Sequence, residues 1–114
     1  MLPRPLRIAR RADWDRLHRR GVAVHSRALV MKFQETHRPH TRFGFIVGVK
    51  VSKQATVRNQ VKRRLRAFVA AERPTVKSGY DIIFIARTPS ATMSASLLQQ
   101  TVRTLLHRGR LLNR

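Results

Sequence analysis

The residues best suited to chemistry on a polyanion lie between positions 50 and 66, KVSKQATVRNQVKRRLR. This stretch contains seven basic residues and no acid. On a helix, where each residue turns by about 100°, Arg58, Lys62 and Arg66 form a ridge beside an apolar stripe. Like charges four residues apart destabilise a helix by a few tenths of a kcal/mol, roughly, per pair. A helix that tolerates this indicates a binding surface, although a solvated basic face with no specific partner is the simpler alternative.

The charge of the whole chain indicates which polyanion would bind. The chain has 114 residues with 25 Lys and Arg against 5 Asp and Glu, a formal net charge of +20. Such a surface repels itself unless a nucleic acid or an anionic membrane neutralises it. No apolar run approaches the ~20 residues of a membrane helix, and the cationic charge is spread along the whole chain. A nucleic-acid partner is therefore favoured over a membrane surface.

Residues able to perform catalysis in their own right are scarce. A two-metal nuclease needs clustered carboxylates, whereas the five acids of this chain are scattered in sequence. His37 and His40 share a turn but have no third ligand, and no nucleophile–base pair is evident. The chain contains no cysteine, which is compatible with a reducing cytosol, and its Arg-rich beginning lacks the apolar core of a secretory signal. We expect no catalytic residue and no metal site in the protein, and a cytoplasmic location.

Hydrophobic periodicity predicts the elements that must position the basic residues. An irregular basic N-terminal arm at 1–10 is followed by a helix at 12–20 and a strand at 27–35. A second strand at 43–51 has a near-continuous apolar run and is expected to be buried on both faces. The remaining elements are a helix at 56–71 with Thr56 as N-cap, a strand at 80–86, and a helix at 94–107 that ends at Gly109. The apolar stripe of the helix at 56–71 comprises Val57, Val61, Leu65 and Phe68.

These elements define the expected fold. Their order is α-β-β-(β)-α-β-α, with the bracketed strand a short additional one that the pattern leaves open. The strand–helix–strand unit at 43–86 is a βαβ crossover through the basic helix. We therefore predict one domain over 1–114, an α+β fold in which helices pack on a small sheet as a sandwich.

The central stretch, RFGFIVGVKVSKQATVRNQVKRRLRAF, closely resembles the signature region of the ribonuclease P protein component. That signature joins a buried strand, a Lys-rich loop and a helix that opens Arg-Asn-Arg and continues Lys-Arg. Here the helix reads Arg58-Asn59-Gln60 and then Lys62-Arg63-Arg64. The flanks are also similar, at Leu2-Pro3, Asp13-Trp14, Gly21, Gly79, Asp81, Ala86-Arg87, Ser96, Leu97 and Leu105-Leu106.

The resemblance implies a role in ribonuclease P, which removes the 5′ leader of precursor tRNA. In this family the RNA subunit carries the catalytic site and its magnesium ions, and the protein assists as a monomer in a 1:1 complex. The crossover through the motif helix is left-handed, against the usual rule. The RNA contacts carried over are Lys50, Lys53, Arg58, Asn59, Lys62, Arg63 and Arg66. A cleft between the first helix and the sheet would hold the leader, with Trp14, His18 and Lys32 lining it.

Four positions depart from the family pattern. Gln60 stands where the family has Arg, and Val49 replaces the first Lys of the loop pair. His18 and Lys32 occupy positions where the family favours or often has an aromatic residue. These changes bear on how strongly the chain binds RNA and stacks the leader, and Lys32 could replace stacking with a phosphate contact.

Three alternatives remain open from the residues. A structural RNA-binding protein of ribosomal type would share the composition but lack leader specificity. A DNA-binding protein is disfavoured because no recognition-helix pair or dimer seam is evident. For Trp14, ordinary core packing is as good an interpretation as base stacking.

Overall fold

A four-stranded sheet with helices on both of its faces organises the chain. The structure is a computed structural model, and it describes residues 2–113. The elements are α1 (Arg11–Arg20), β1 (Val22–His25), β2 (Leu29–Glu35), β3 (Arg42–Ile46), α2 (Ala55–Glu72), β4 (Tyr80–Ala86) and α3 (Ala95–Arg108). Short 3-10 turns occur at Arg4–Leu6, Arg73–Thr75 and Thr88–Ala91. This is the α+β architecture that the sequence predicts, and its one additional short strand, β1, precedes β2 and does not follow β3.

The strands lie in the spatial order β1-β2-β4-β3. β2 pairs antiparallel with both β1 and β4. β3 runs parallel to β4, and a parallel neighbour requires a crossover connection, which α2 supplies. The basic helix is thus the connection of the predicted βαβ unit.

Alternate residues of β4 serve two hydrophobic clusters on opposite faces of the sheet. Ile82 and Phe84 belong to the larger cluster, to which α2 and α3 contribute their apolar sides. Ile83 belongs to a smaller cluster with Leu17 of α1 and Ile8. Burying each such side chain stabilises the fold by about 1.5–3 kcal/mol. β4 therefore holds α1 on one face and α2 with α3 on the other.

Helix α2 begins one residue earlier than predicted, and Thr56 is not its N-cap. Gln54 occupies the cap position without a side-chain cap bond. The turn before it is already closed, because the Val51 N–H donates to the Gly48 carbonyl at 3.0 Å and the Gln54 N–H to Ser52 Oγ at 3.1 Å. The chain therefore enters the helix at Ala55, and Thr56 lies inside the first turn.

The buried stripe of α2 also differs from the prediction at both ends. Its fully buried positions are Val61, Leu65 and Val69, which follow a strict spacing of four. Val57 and Phe68 are only half-buried. The stripe drifts around the helix because 3.6 residues per turn do not divide into a spacing of four.

The prediction of a strand over 43–51 was wrong in its second half. β3 ends at Ile46, which pairs with Ile85 near the end of β4. β4 continues only one residue further, to Ala86, and the chain after Ile46 turns away, so that Val49 is 67% exposed. Val51, by contrast, is buried and anchors the loop to the main cluster.

The N-terminal arm is more ordered than the irregular segment that the sequence predicts. It contains the Arg4–Leu6 turn, and the Ile8 N–H donates to the Phe43 carbonyl at 2.9 Å. Leu2 and Ile8 are buried at 4% and 6% exposure. The arm thus lies along the outer edge of β3, held by backbone pairing and two apolar anchors.

A buried group of charges joins α1 to the sheet. Arg42 of β3 donates to its register partner Asp81 of β4 through two bonds, of 2.9 and 2.7 Å. Arg42 Nη2 also lies 3.3 Å from Oδ2 of Asp13 in α1, and Arg16 donates to the other oxygen of Asp13. The hydrogen bond to Asp81 raises the pKa of Arg42. Burial alone would raise the pKa of Asp13, but the charge of Arg42 and the contacts with Arg42 and Arg16 outweigh it and lower that pKa.

We expect Asp13→Asn to destabilise the protein at neutral pH by about 2 kcal/mol, since a hydrogen bond to a charged group contributes about 1.5–3 kcal/mol. A carboxyl with a lowered folded-state pKa stabilises the fold above its unfolded pKa and loses that effect as pH falls through the folded value. The difference from the unchanged protein should therefore shrink below the ordinary pKa of 3.8. Urea unfolding at pH 7 and pH 3 measures it. Asp15→Asn, an exposed neighbour on the same helix, is the control, and equal stability of the two variants at pH 7 would contradict the assignment.

Candidate nucleic-acid interface

The exposed side of α2 carries a shallow groove of about 420 Å³. Its lining, which we call the motif-helix groove, consists of Thr56, Asn59, Lys62, Arg63 and Arg66. Four of the seven predicted RNA contacts are thereby brought together. Among residues 2–113, no ion pair involves the three cations of this groove, so their charge is available to a ligand.

The groove is suited to a phosphodiester backbone. From Thr56 to Arg66 its residues span about 15 Å of helix, at a rise of about 1.5 Å per residue. The guanidinium groups of Arg63 and Arg66 can each bind two phosphate oxygens, while Lys62 acts as a point charge. Asn59 adds an amide that can both donate and accept, which suits a base edge or a ribose hydroxyl. The apolar stripe on the opposite side of α2 holds this array against the sheet.

Arg58 lies apart from the groove and has a local role. Its Nη1 donates to the carbonyls of Ser52 at 2.9 Å and Lys53 at 3.0 Å. These bonds tie the loop before α2 to the first turn of the helix. Arg58 therefore fixes the shape of the loop, whatever its remaining nitrogens contact.

The two predicted loop contacts, Lys50 and Lys53, are both exposed. The carbonyl of Lys50 accepts a hydrogen bond from Thr88 Oγ1 at 3.2 Å. The loop is thereby anchored to the turn after β4 while its two ammonium groups face solvent. These lysines extend the basic surface beyond the motif-helix groove toward its N-terminal side.

The three predicted leader residues lie on the side of the sheet that α1 covers, which we call the α1 face. Trp14 packs over Gly44 of β3, where an added Cβ would come within 2.7 Å of the ring atom Cζ2. The Trp14 ring is half-buried, so one part packs against the sheet and another stays accessible. His18 follows one turn later on α1 and is exposed.

Lys32 lies in the same row of the sheet as the glycine under Trp14. The register joins Lys32 of β2 to Ile83 of β4 and Ile83 to Gly44 of β3. Strands are spaced about 4.8 Å apart, so Lys32 and Gly44 are about 10 Å from one another. An aromatic ring and a half-buried cation thus flank one apolar position on the α1 face.

Sequence reasoning missed two features that shape the α1 face. Gly44 was read only as part of an apolar strand, although a glycine inside a strand is a signal of close approach by another group. The grouping of Asp13 and Asp81 around Arg42 had no sequence signal, because the three residues are brought together by strand register and helix docking.

Within residues 2–113, no three His, Cys, Asp or Glu side chains lie close enough to hold a metal ion. The two carboxylates that do come together, Asp13 and Asp81, are engaged by arginine. In the same part of the chain, no helix has the length and apolarity to cross a membrane.

Comparison with known proteins places the chain in a well-defined group. The sequence profile of a family described as Ribonuclease P matches residues 2–110. A ribonuclease P protein component of Symbiobacterium thermophilum is 39% identical over 110 residues, covering 95% of this chain and 94% of the relative. One of Synechocystis is 38% identical over 85 residues, covering 74% and 68%.

Solved structures show the same similarity. The RNase P protein of Staphylococcus aureus superposes with a TM-score of 0.87 at 28% identity, covering 95% of this chain and 98% of that one. The RNase P protein of Thermotoga maritima superposes with a TM-score of 0.81 at 24% identity, covering 90% and 96%. At this identity, the similarity to the Thermotoga maritima protein shows a shared fold.

We expect Arg63→Ala and Arg66→Ala each to lower the slope of log affinity against log salt by about 0.7–0.9, the effect of one lost phosphate contact. Neither should change stability, because both side chains project from the groove. Arg58→Ala should in addition lower the free energy of unfolding by about 1–2 kcal/mol, through the loss of two hydrogen bonds. Binding to one structured RNA across a salt series and urea unfolding measure the two effects. If Arg19→Ala, on the outer side of α1, lowers the slope equally, the effect is one of net charge and the groove assignment fails.

Proposed function

Because this chain belongs to the ribonuclease P protein family and is a protein subunit of ribonuclease P with a role in tRNA processing, we propose a specific division of its surface. The motif-helix groove and the loop before it bind the RNA subunit. The α1 face binds the 5′ leader of precursor tRNA. The observation that carries this proposal is the motif-helix groove, where Asn59 lies beside three cations that form no ion pair within residues 2–113.

The protein's contribution is electrostatic and positional. Two RNA molecules repel each other through their phosphates, and a chain with a formal charge of +20 between them reduces that repulsion. The accessible part of the Trp14 ring gives a leader base a stacking surface, and such stacking contributes about 1–3 kcal/mol per base. Lys32 adds a cation in the same row. The α1 face thus combines stacking with a phosphate contact.

We assign the reaction chemistry and its magnesium ions to the RNA subunit. The described residues do not fit a protein-bound magnesium, since the carboxylates that come together are already engaged by Arg42 and Arg16. The protein's residues bind and orient RNA, and none is given the role of acid, base or nucleophile. The RNA subunit would hold both metal and scissile phosphate.

The working unit we propose is one protein with one RNA subunit in the cytoplasm. The charge of the chain supports this stoichiometry, because two copies that each carry +20 repel each other in the absence of RNA. A structural RNA-binding protein of ribosomal type, the alternative from the sequence, is not favoured by the comparisons. Dependence on the 5′ leader separates the two functions.

Cleavage of a 5′-extended precursor tRNA by a bacterial ribonuclease P RNA should accelerate at low magnesium when this protein is added. The reason is that the protein's positive charge reduces the repulsion between the two RNAs, which magnesium ions must otherwise do. The measurement is the rate of product formation at the mature 5′ end, with and without protein, across a magnesium series. Tight RNA binding with no acceleration would favour the structural role, provided that an RNA subunit from the protein's own source gives the same result.

Trp14→Ala should weaken binding of a leader-bearing precursor more than binding of mature tRNA by the assembled complex. The expected difference is about 5- to 150-fold, which corresponds to the stacking of one base. Trp14→Phe, which keeps an aromatic face over Gly44, is the matched control and should retain most of the discrimination. Equal losses for precursor and mature tRNA would assign Trp14 to core packing alone.

A further inference from the structure

A second basic groove lies at the edge of the sheet beside β3, on the side where Arg42 meets Asp13. It has a volume of about 500 Å³ and is formed between the N-terminal arm and the connection from β2 to β3. We call it the arm groove. Its lining includes His40 and five arginines, which are Arg4, Arg7, Arg10, Arg38 and Arg42. None of these residues was assigned to RNA from the sequence, and none belongs to the motif helix.

The arginines of the arm project from an ordered backbone. Within the arm, the Leu6 N–H donates to the Pro3 carbonyl at 2.9 Å and the Arg7 N–H to the Arg4 carbonyl at 3.0 Å. Arg7 also forms a parallel bridge with Phe43 of β3. The buried side chains of Leu2 and Ile8 fix the two ends of the segment. The backbone that carries these arginines is therefore fixed before a ligand binds, which lowers the entropy lost on binding.

The charge of the groove is nearly uncompensated. Arg42 at its base is engaged by Asp81 and Asp13. Arg38 lies 4.0 Å from the same Asp13, at the limit of an ion pair. Arg4, Arg7 and Arg10 are exposed and form no ion pair within residues 2–113. Three free guanidinium groups facing one concavity repel one another, and an anion with several oxygens relieves that repulsion.

We propose that the arm groove binds the phosphodiester backbone of RNA as a second site, independent of the motif-helix groove. The planar guanidinium fork matches phosphate oxygens in pairs, and three of them in one groove suit a ligand with repeated phosphates. The arm leads directly into α1, which covers the sheet face opposite α2. The protein would thus contact RNA from both sides of its sheet. The choice of RNA as the ligand rests on the proposed function.

The test compares two triple variants of equal charge. Arg4→Ala, Arg7→Ala and Arg10→Ala together remove the three exposed arginines that the arm contributes to the groove. Arg19→Ala, Arg20→Ala and Arg27→Ala together remove three exposed arginines from α1 and the β1–β2 turn, none of which forms an ion pair within residues 2–113. For each variant, log affinity is measured against log salt, first for ribonuclease P RNA alone and then for precursor tRNA bound by the preassembled complex. Circular dichroism and urea unfolding check that each variant folds.

The arm variant should lower the salt slope by about 2 to 3 relative to the control variant, at about 0.7–0.9 per phosphate contact. A change only with ribonuclease P RNA assigns the groove to the RNA subunit, and a change only with the precursor assigns it to the substrate. Equal slopes for the two variants would overturn the arm groove while leaving the proposed function intact. If the unchanged protein binds neither RNA, it is the proposed function that fails.

A single variant keeps the test decisive if the triple variant does not fold. Arg7→Glu leaves both buried anchors of the arm in place and reverses one charge in the groove. It should lower the salt slope more than Arg27→Glu, and a smaller or equal effect would count against the proposal.

Discussion

The ion pair between Arg42 and Asp81, with Asp13 beside it, is the constraint on which the arrangement of both faces depends. It joins β3, β4 and α1 at one end of the sheet, where apolar packing alone would leave the docking of α1 to a few side chains such as Leu17 and Ile8. A buried arginine without its partners would be strongly unfavourable, so these three elements must assemble together. The position of Trp14, one residue after Asp13, follows from that docking.

The same ion pair shapes the electrostatics of the surface. The chain has only five acids, and two of them, Asp13 and Asp81, are buried against Arg42. Of the others, Glu72 is close to Arg103, at 3.7 Å. The exposed cations of α2, of the loop before it and of the arm are therefore left with little opposing charge. The composition shows that acids are scarce, and the burial of two of them leaves still fewer on the surface. An external anion is therefore needed to neutralise these cations.

Much of the fold and of the motif helix could be predicted because both depend on local periodicity. The stripe containing Val61 and Leu65 is buried, and the groove residues between them face outward, as helical spacing requires. The errors arose where long-range pairing decides the outcome. β3 stops close to the end of β4, and the arm is held because the Phe43 carbonyl at the sheet edge accepts a hydrogen bond from Ile8. Likewise, the local role of Arg58 depends on carbonyls that only the folded loop presents. The assignment of individual side chains to RNA stays a prediction.

The contact between Trp14 and Gly44 makes the volumes of two distant positions interdependent. Any side chain at position 44 would occupy space that the indole ring now fills, and a smaller residue at position 14 would leave a hollow above the strand. Recognition and architecture are therefore coupled at this point of the α1 face. A larger residue at position 44, by drift or by design, therefore requires a smaller one at position 14, so that the size added on the strand is matched by size lost on the helix.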